Sequence, residues 1–318
     1  MKTTDLALAK QALGNNDIIA IPTETVYGLA GNAFNEIAIE KIFRLKKRPF
    51  YNPLIVHIKS AGFLPEVARD IPPVAMQLAK TCWPGPLTLI LKKQSSVPDL
   101  ITAGKDTVAV RVPNHPLTLR LLAELDFPLA APSANPFGSI SPTTADHVAS
   151  YFSESLPVIL DGGNCEKGVE STIIGFENNQ PVLFRHGATS LEEIEKVIGK
   201  VIIKTKGEGN DVTAPGMLSK HYSPKTNTYL TDHINEYIRM FPNKKIGVLV
   251  FKNSLTNPDI THQEILSESG SLTEAAKELY AALHRLDSFE LDVIIAERFP
   301  DYGLGKTIND RLQRAVQQ

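Results

Sequence analysis

Five stretches of this chain collect side chains that can grip anions or exchange hydrogen bonds with a small ligand. In IPTETVYGL (21–29), Thr23, Glu24, Thr25 and Tyr27 follow the apolar run at 18–21. That is where a strand would end and where α/β sheets present ligand contacts. The same hydroxyls could instead satisfy their own turn. In KIFRLKKRPFYNPLIVHI (41–58), five of the eight residues from Lys41 to Arg48 are basic, and Pro49 stops the helix that carries them. Lysine as a point charge and arginine as a planar fork suit a polyphosphate, and complementing a helix dipole is their other use. His57, inside an apolar strand, reads on its own as a core histidine. In TVAVRVPNHP (107–116), alternation sets Thr107, Ala109 and Arg111 on the face opposite Val108, Val110 and Val112. Arg111, bordered by small residues, needs an anion. Either a carboxylate of the protein or one of a substrate would serve, and spacing does not choose. LAAPSANPFGSISPTTADH (129–147) pairs small residues, which let a backbone approach a ligand, with Ser133, Asn135, Ser139 and Ser141. GVESTII (168–174) and LFRHG, with Arg185 at a strand end, complete the set.

The elements that must position these groups are short. Strands are expected at 18–21, 54–58, 87–91, 107–112, 158–160, 171–174 and 182–184. Helical spacing covers 37–47, 73–80, 117–125 and 191–198, the last with a Ser190–Glu193 capping box and a stop at Gly199. Strands not regularly separated by helices imply an α/β fold with a mixed sheet. The segment 206–226 is rich in Gly, Pro and Lys without an apolar period and reads as a linker. An α/β pattern then restarts, with strands at 246–251 and 292–296, a helix started by Ser271 and Glu274, and a last helix from about 307. The expected division is therefore 1–205, 206–226 and 227–318.

Composition bounds the function classes. The 318 residues suit two domains at ~150 each. With 33 basic against 35 acidic residues and a net charge of −2, neither disorder nor a globally nucleic-acid-coating protein fits. Two distant cysteines, Cys82 and Cys165, form neither a disulfide scaffold nor a zinc finger and suit a reducing cytoplasm. The start, MKTTDLALAKQALG, reads as a short amphipathic helix rather than a signal peptide, and no stretch resembles a membrane helix. FPDYGLGKTIND (299–310) mimics a phosphate-binding loop, but the first glycine of that motif is replaced by Pro300.

Taken in order, PTETVYGL, KKRP…NPLIVHI, WPGPLTLIL, VAVRVP, APSAN…SPTT and GVESTI resemble the YrdC-like family of threonylcarbamoyl-AMP synthases. APGMLSKHYSP resembles the linker, and GLGKTINDRLQRA the terminal helix, of its longer two-domain members. His186 departs from the pattern, standing where proline is common. The resemblance implies a twisted mixed-sheet catalytic domain with a smaller Rossmann-like α/β domain. It implies conversion of L-threonine, bicarbonate and ATP to L-threonylcarbamoyl-AMP and pyrophosphate, for threonylcarbamoyladenosine in tRNA. Thr25, His57, Arg111, Ala131 (through its backbone) and Ser171 would hold threonine. Arg48, Asn52, Thr107, Ser133, Ser141, Arg185 and Tyr222 would hold ATP, with Lys46 as further positive charge. No acid or base is assigned, because such transfer rests on positioning and charge stabilisation. Mg²⁺ is expected with ATP through phosphates and water, not on side chains, and handover to a tRNA threonylcarbamoyl transferase complex would follow. The 206–226 segment, which carries His221 and Tyr222, is expected to act as a lid. The competing reading is a non-catalytic double-stranded RNA-binding module.

Overall fold

The computed structural model describes residues 1–152, 154–205 and 221–316. Among them, twelve strands form one mixed sheet. From one edge its order is Lys2–Thr3, Ile159–Leu160, Ile19–Ile21, Gly28–Asn32, Leu129–Ala130, Ile55–His57, Thr107–Arg111, Leu87–Lys93, Thr172–Glu177, Gln180–Arg185 and Ile202–Ile203, with Ala68–Arg69 paired to Leu87–Lys93. Ile55–His57 runs parallel to Thr107–Arg111, with His57 opposite Arg111, and antiparallel to Leu129–Ala130. The expected mixed sheet is thus observed.

Two sequence features fix the basic segment beneath this sheet. Asn35 caps the helix Glu36–Lys46 by accepting the Ala38 N–H, and Lys47 ends it in a left-handed conformation at φ 53°. Ala38, Ile39, Ile42 and Phe43 are buried against the sheet. Gly31 permits that approach, because a Cβ there would lie 3.2–3.3 Å from Ile18, Ala38 and Ile42. The expected capping box is formed at Ser190 and Glu193 on the helix Leu191–Ile198. The N-terminal helix is observed at Leu6–Gly14, capped by Asp5.

A second, all-parallel sheet has the order Asn227–Thr231, Val293–Glu297, Ile246–Val250 and Ile260–Ile265. The strands Asn227–Thr231 and Ile260–Ile265 and the helix Ile234–Arg239 lack a clean apolar period and were not legible in the sequence. The helix Leu272–Asp287 starts at Ser271, which accepts the Glu274 N–H. The Glu274 carboxylate does not reach back to Ser271 but accepts from Ser267 and Ser269. The final helix begins at Leu304, earlier than expected.

The two units are welded together. Tyr222, Val26, Ile140 and Val169 share a buried cluster with Leu279, Tyr280 and Leu283 of Leu272–Asp287 and with Ile308 and Leu312 of Leu304–Ala315. At Gly168 (φ +70°) the backbones meet so closely that a Cβ would lie 2.1 Å from the Lys277 carbonyl oxygen. The false phosphate loop serves this junction: Lys306 pairs with Glu192 at 3.0 Å, and the Thr307 hydroxyl donates to the Gly187 carbonyl at 2.9 Å. Arg314 donates to the Thr205 carbonyl at 3.1 Å, while its own carbonyl accepts the His221 N–H at 3.1 Å. Both ends of the connecting segment therefore meet one residue. Residues 206–220 of the expected linker lie outside the described residues. No helix among the described residues is long and apolar enough to cross a membrane.

Candidate active site

A cleft opens along the sheet where the Thr23–Gly28 turn, the Ile55–His57 and Thr107–Arg111 strands and the 131–133 loop converge. Of the residues expected at a site, Thr25, Arg48, His57, Arg111, Ala131, Ser133, Ser171, Arg185 and Tyr222 line it. Three buried guanidinium groups therefore surround one space.

Each is held differently. Arg48 donates to the Asn52 carbonyl (3.0 Å), the Asn52 Oδ1 (2.6 Å) and the Pro53 carbonyl (2.7 Å). All three acceptors are neutral, so burial pulls its pKa down to about 9, with the nearby Arg185 adding to the shift. Arg185 reaches Ser171, donating to its carbonyl at 2.7 Å and its hydroxyl oxygen at 3.0 Å. Arg111 has a carboxylate: Nη2 lies 2.7 Å from Glu24 Oε1, and Nη1 donates to Thr25 Oγ1 at 3.1 Å. Its Nε is buried and unpartnered among the described residues. The question left open by the sequence is thereby answered in part, since the protein supplies one anionic partner.

His57 is buried between these charges. Burial first, and then the Arg111 charge, lower its pKa to about 3, so the ring is neutral at ordinary pH. On the far wall, Tyr222 is buried at φ +65°, with its hydroxyl unpartnered among the described residues. The Arg311 guanidinium lies over its ring at 4.9 Å.

Four expected residues do not line this cleft. Lys46 is buried and donates to the carbonyls of Ser133 (2.6 Å) and Asn135. Burial lowers its pKa well below the ordinary lysine value, and it acts here as a brace for the serine-bearing loop. Asn52 holds Arg48. Ser141 donates to Glu170 at 2.7 Å. Thr107 lines an adjoining cleft with Ile90, Lys92, Phe176 and Phe184. Ile55 of the first cleft and Ile90 and Phe184 of the second belong, with Ala109, to one apolar cluster on the sheet.

Sequence reasoning named Glu24 in its motif without assigning it a role, and missed Glu170 as a site member. Glu170 stood in a quoted motif, but its partners Tyr280 and Arg311 lie more than a hundred positions away. Glu170 accepts from Ser141, Tyr280 and Arg311. Burial alone would raise its pKa, but the Arg311 and Arg185 charges and these hydrogen bonds hold it down at about 2.

Comparison with known proteins places this geometry. Residues 11–187 match the Sua5–YciO–YrdC family, described as "Telomere recombination", and residues 189–316 match "Threonylcarbamoyl-AMP synthase, C-terminal domain". The chain is 42% identical to threonylcarbamoyl-AMP synthase of Pyrococcus abyssi, over 98% of this chain and 93% of that one. It is 39% identical to the Bacillus subtilis enzyme of the same name, over 99% and 94%. The crystal structure of P. abyssi Sua5 complexed with L-threonine superposes with a TM-score of 0.92, at 42% identity and over 98% and 93% of the two chains. With the ordered motifs, the arginine-lined cleft and both domains accounted for, this chain belongs to the two-domain, Sua5 type of the threonylcarbamoyl-AMP synthase family.

Proposed function

We infer that the chain is an L-threonylcarbamoyladenylate synthase. Threonine's amine nitrogen attacks the carbon of bicarbonate and water leaves, giving a carbamate. A carbamate oxygen then attacks the α-phosphorus of ATP, the bond to the β-phosphate oxygen breaks, and pyrophosphate departs. The observation that carries this reading is Arg48, a buried cation with three neutral acceptors, set beside Arg185 and Arg111 in one cleft. Uncompensated buried charge is costly unless an anion completes it.

The threonine side is assigned to Thr25, the neutral ring of His57, Arg111, the Ala131 backbone and Ser171. Arg111's paired Nη2 leaves its Nε for the substrate carboxylate. The ATP side is assigned to Arg48, Ser133, Arg185 and Tyr222 in the cleft and Thr107 in the adjoining one. Asn52, Ser141 and Lys46 support it from behind. The apolar cluster that both clefts share offers a flat surface to a purine. Catalysis then consists of alignment and of guanidinium charge at the departing pyrophosphate. Mg²⁺ accompanying ATP would be held by phosphates and water rather than by side chains and would neutralise phosphate charge. Glu170, the carboxylate lining the cleft, is already saturated by its three donors.

The lid role expected for 206–226 rests, within the described residues, on His221 and Tyr222, which line the cleft. A surface built to grip duplex RNA would expose its cations, whereas the arginines that line this cleft are buried, which favours the synthase over the RNA-binding module. The product would be handed to the enzyme that acylates tRNA adenosine, in a cytoplasm that keeps Cys82 and Cys165 as thiols. Pyrophosphate release should require ATP, threonine and bicarbonate together. Equal release without threonine would overturn the assignment.

A further inference from the structure

We propose that Arg311 and Tyr280, both in the C-terminal unit, are positioning residues for the nucleotide side of the synthase site, acting through Glu170 and Tyr222. The inference rests on the reading that Ser141 and Tyr222 serve ATP. It goes beyond that reading by giving the C-terminal unit a part in substrate binding.

The geometry is a buried clamp that crosses the domain junction. Glu170 belongs to the first unit and lines the cleft. Its Oε2 accepts from Arg311 Nε at 2.8 Å and from the Tyr280 hydroxyl at 2.9 Å. Its Oε1 accepts from the Ser141 hydroxyl at 2.7 Å and again from Tyr280 at 3.1 Å. The Ser141 hydroxyl is thereby given one orientation by residues more than a hundred positions away. Arg311 does two further things. Its Nη2 donates to the His186 carbonyl at 2.7 Å, the residue next to Arg185, and its guanidinium lies over the Tyr222 ring. Tyr280 stacks on the same ring, with centroids 5.7 Å apart. Tyr222 is therefore held on a shelf of two C-terminal side chains while its hydroxyl keeps no partner among the described residues.

A charge as deeply buried as Arg311 is not required for packing, since apolar residues of similar volume would hold a junction as well. What a fully bonded ionic network adds is a defined geometry. Here the groups given that geometry are the Ser141 hydroxyl behind the cleft, the Tyr222 ring that lines it and the backbone beside Arg185. Among the described residues the hydrogen bonds of Glu170, Tyr280 and Arg311 lead to Ser141, His186 and Asp310 and not to Thr25 or His57, although Ser171 is the chain neighbour of Glu170. The effect should accordingly separate the two substrates.

Steady-state pyrophosphate release by full-length protein tests this. Tyr280→Phe removes one hydroxyl and keeps the stacked ring, and it should raise the KM for ATP about fivefold or more. Arg311→Met keeps volume without the bonds and should raise it about tenfold or more, whereas Arg311→Lys should recover part of the loss. Threonine KM should move less than about twofold in all three. Tyr280→Phe combined with Ser141→Ala should be less than additive, because both act through Glu170. If Tyr280→Phe and Arg311→Met lower only the melting temperature and leave the ATP KM at its wild-type value, the clamp is structural and the proposal fails. Ser141→Ala and Tyr222→Phe separate that failure from failure of the site reading. If these two also leave ATP KM unchanged, the ATP assignment itself falls and takes the proposal with it. Should Arg311→Met not fold, Tyr280→Phe decides alone.

Discussion

Arg111 and Glu24 form a buried ion pair, 2.7 Å between Nη2 and Oε1, at the inner end of a strand whose neighbour contributes His57. Glu24 also accepts the Asn114 N–H at 3.0 Å, so its two oxygens join the turn, the strand and the loop beyond it. A charge so placed cannot lose its partner cheaply. Arg111→Ala should cost ~3–5 kcal/mol in urea unfolding, the penalty of stranding a buried carboxylate. Arg111→Lys should restore much of that stability while threonine KM remains raised, because the fork that spans Glu24, Thr25 and a ligand is gone. Normal threonine saturation by the lysine variant would return Arg111 to a purely structural role.

Arg48 should behave in the opposite way. Its acceptors are neutral, and burial depresses its pKa. Arg48→Met should leave the melting temperature unchanged or higher, and should weaken ATP binding by ~1.5–3 kcal/mol. Titration calorimetry with ATP, beside a thermal scan, reads both. A variant that melts early and binds ATP normally would mark the basic segment as a helix terminus only.

Tyr222 separates ring from hydroxyl. Tyr222→Phe deletes a buried hydroxyl without a partner among the described residues and should not destabilise the fold, yet ATP affinity should fall. Tyr222→Ala also removes a buried ring that touches Arg311 and Tyr280 and should cost ~3–5 kcal/mol. Unaltered ATP affinity in the phenylalanine variant would remove Tyr222 from the nucleotide site.

Acid should loosen the junction between the units. His147 of Ala145–Phe152 and His284 of Leu272–Asp287 stack at 3.9 Å, and His284 Nε2 lies 3.3 Å from the Ser141 carbonyl oxygen. Burial lowers His147 to about 4, against the pull of Asp146. Burial and then the His147 charge lower His284 to about 3. The unfolded imidazoles take up protons as pH falls through their ordinary value near 6.5, while the folded ones resist. Stability should therefore be undiminished by these groups above that value and fall progressively below it, until the folded pKa values are passed. Thermal scans from pH 8 to 4.5 should show a shallower slope for His147→Gln than for the parent. Equal slopes would mean that the stack does not govern the acid response.

Much of this was legible in the sequence because short-range chemistry wrote it there. The helix Glu36–Lys46 carries its cap, apolar face and proline stop between Asn35 and Pro49, and the Ser190–Glu193 box is local in the same sense. Arg111 could be placed on an inward face by alternation alone. Its partner could not, since Glu24 lies 87 positions away and pairing depends on which strands become neighbours. The Glu170 clamp was illegible for the same reason, with Arg311 separated from it by 141 positions. The strand Ile260–Ile265 hid because most of its residues are only half-buried, so burial imposed no clean alternation on ITHQEI.

The hydrogen bonds that join Arg314 to Thr205 and to His221 have a consequence for how the chain crosses the junction. They tie Thr205 and His221 to one residue of the last helix, so the chain leaves the first unit and re-enters the junction at one defined place. Moving either anchor would shift Tyr222 against its shelf. Phase at these two anchors is therefore tightly constrained.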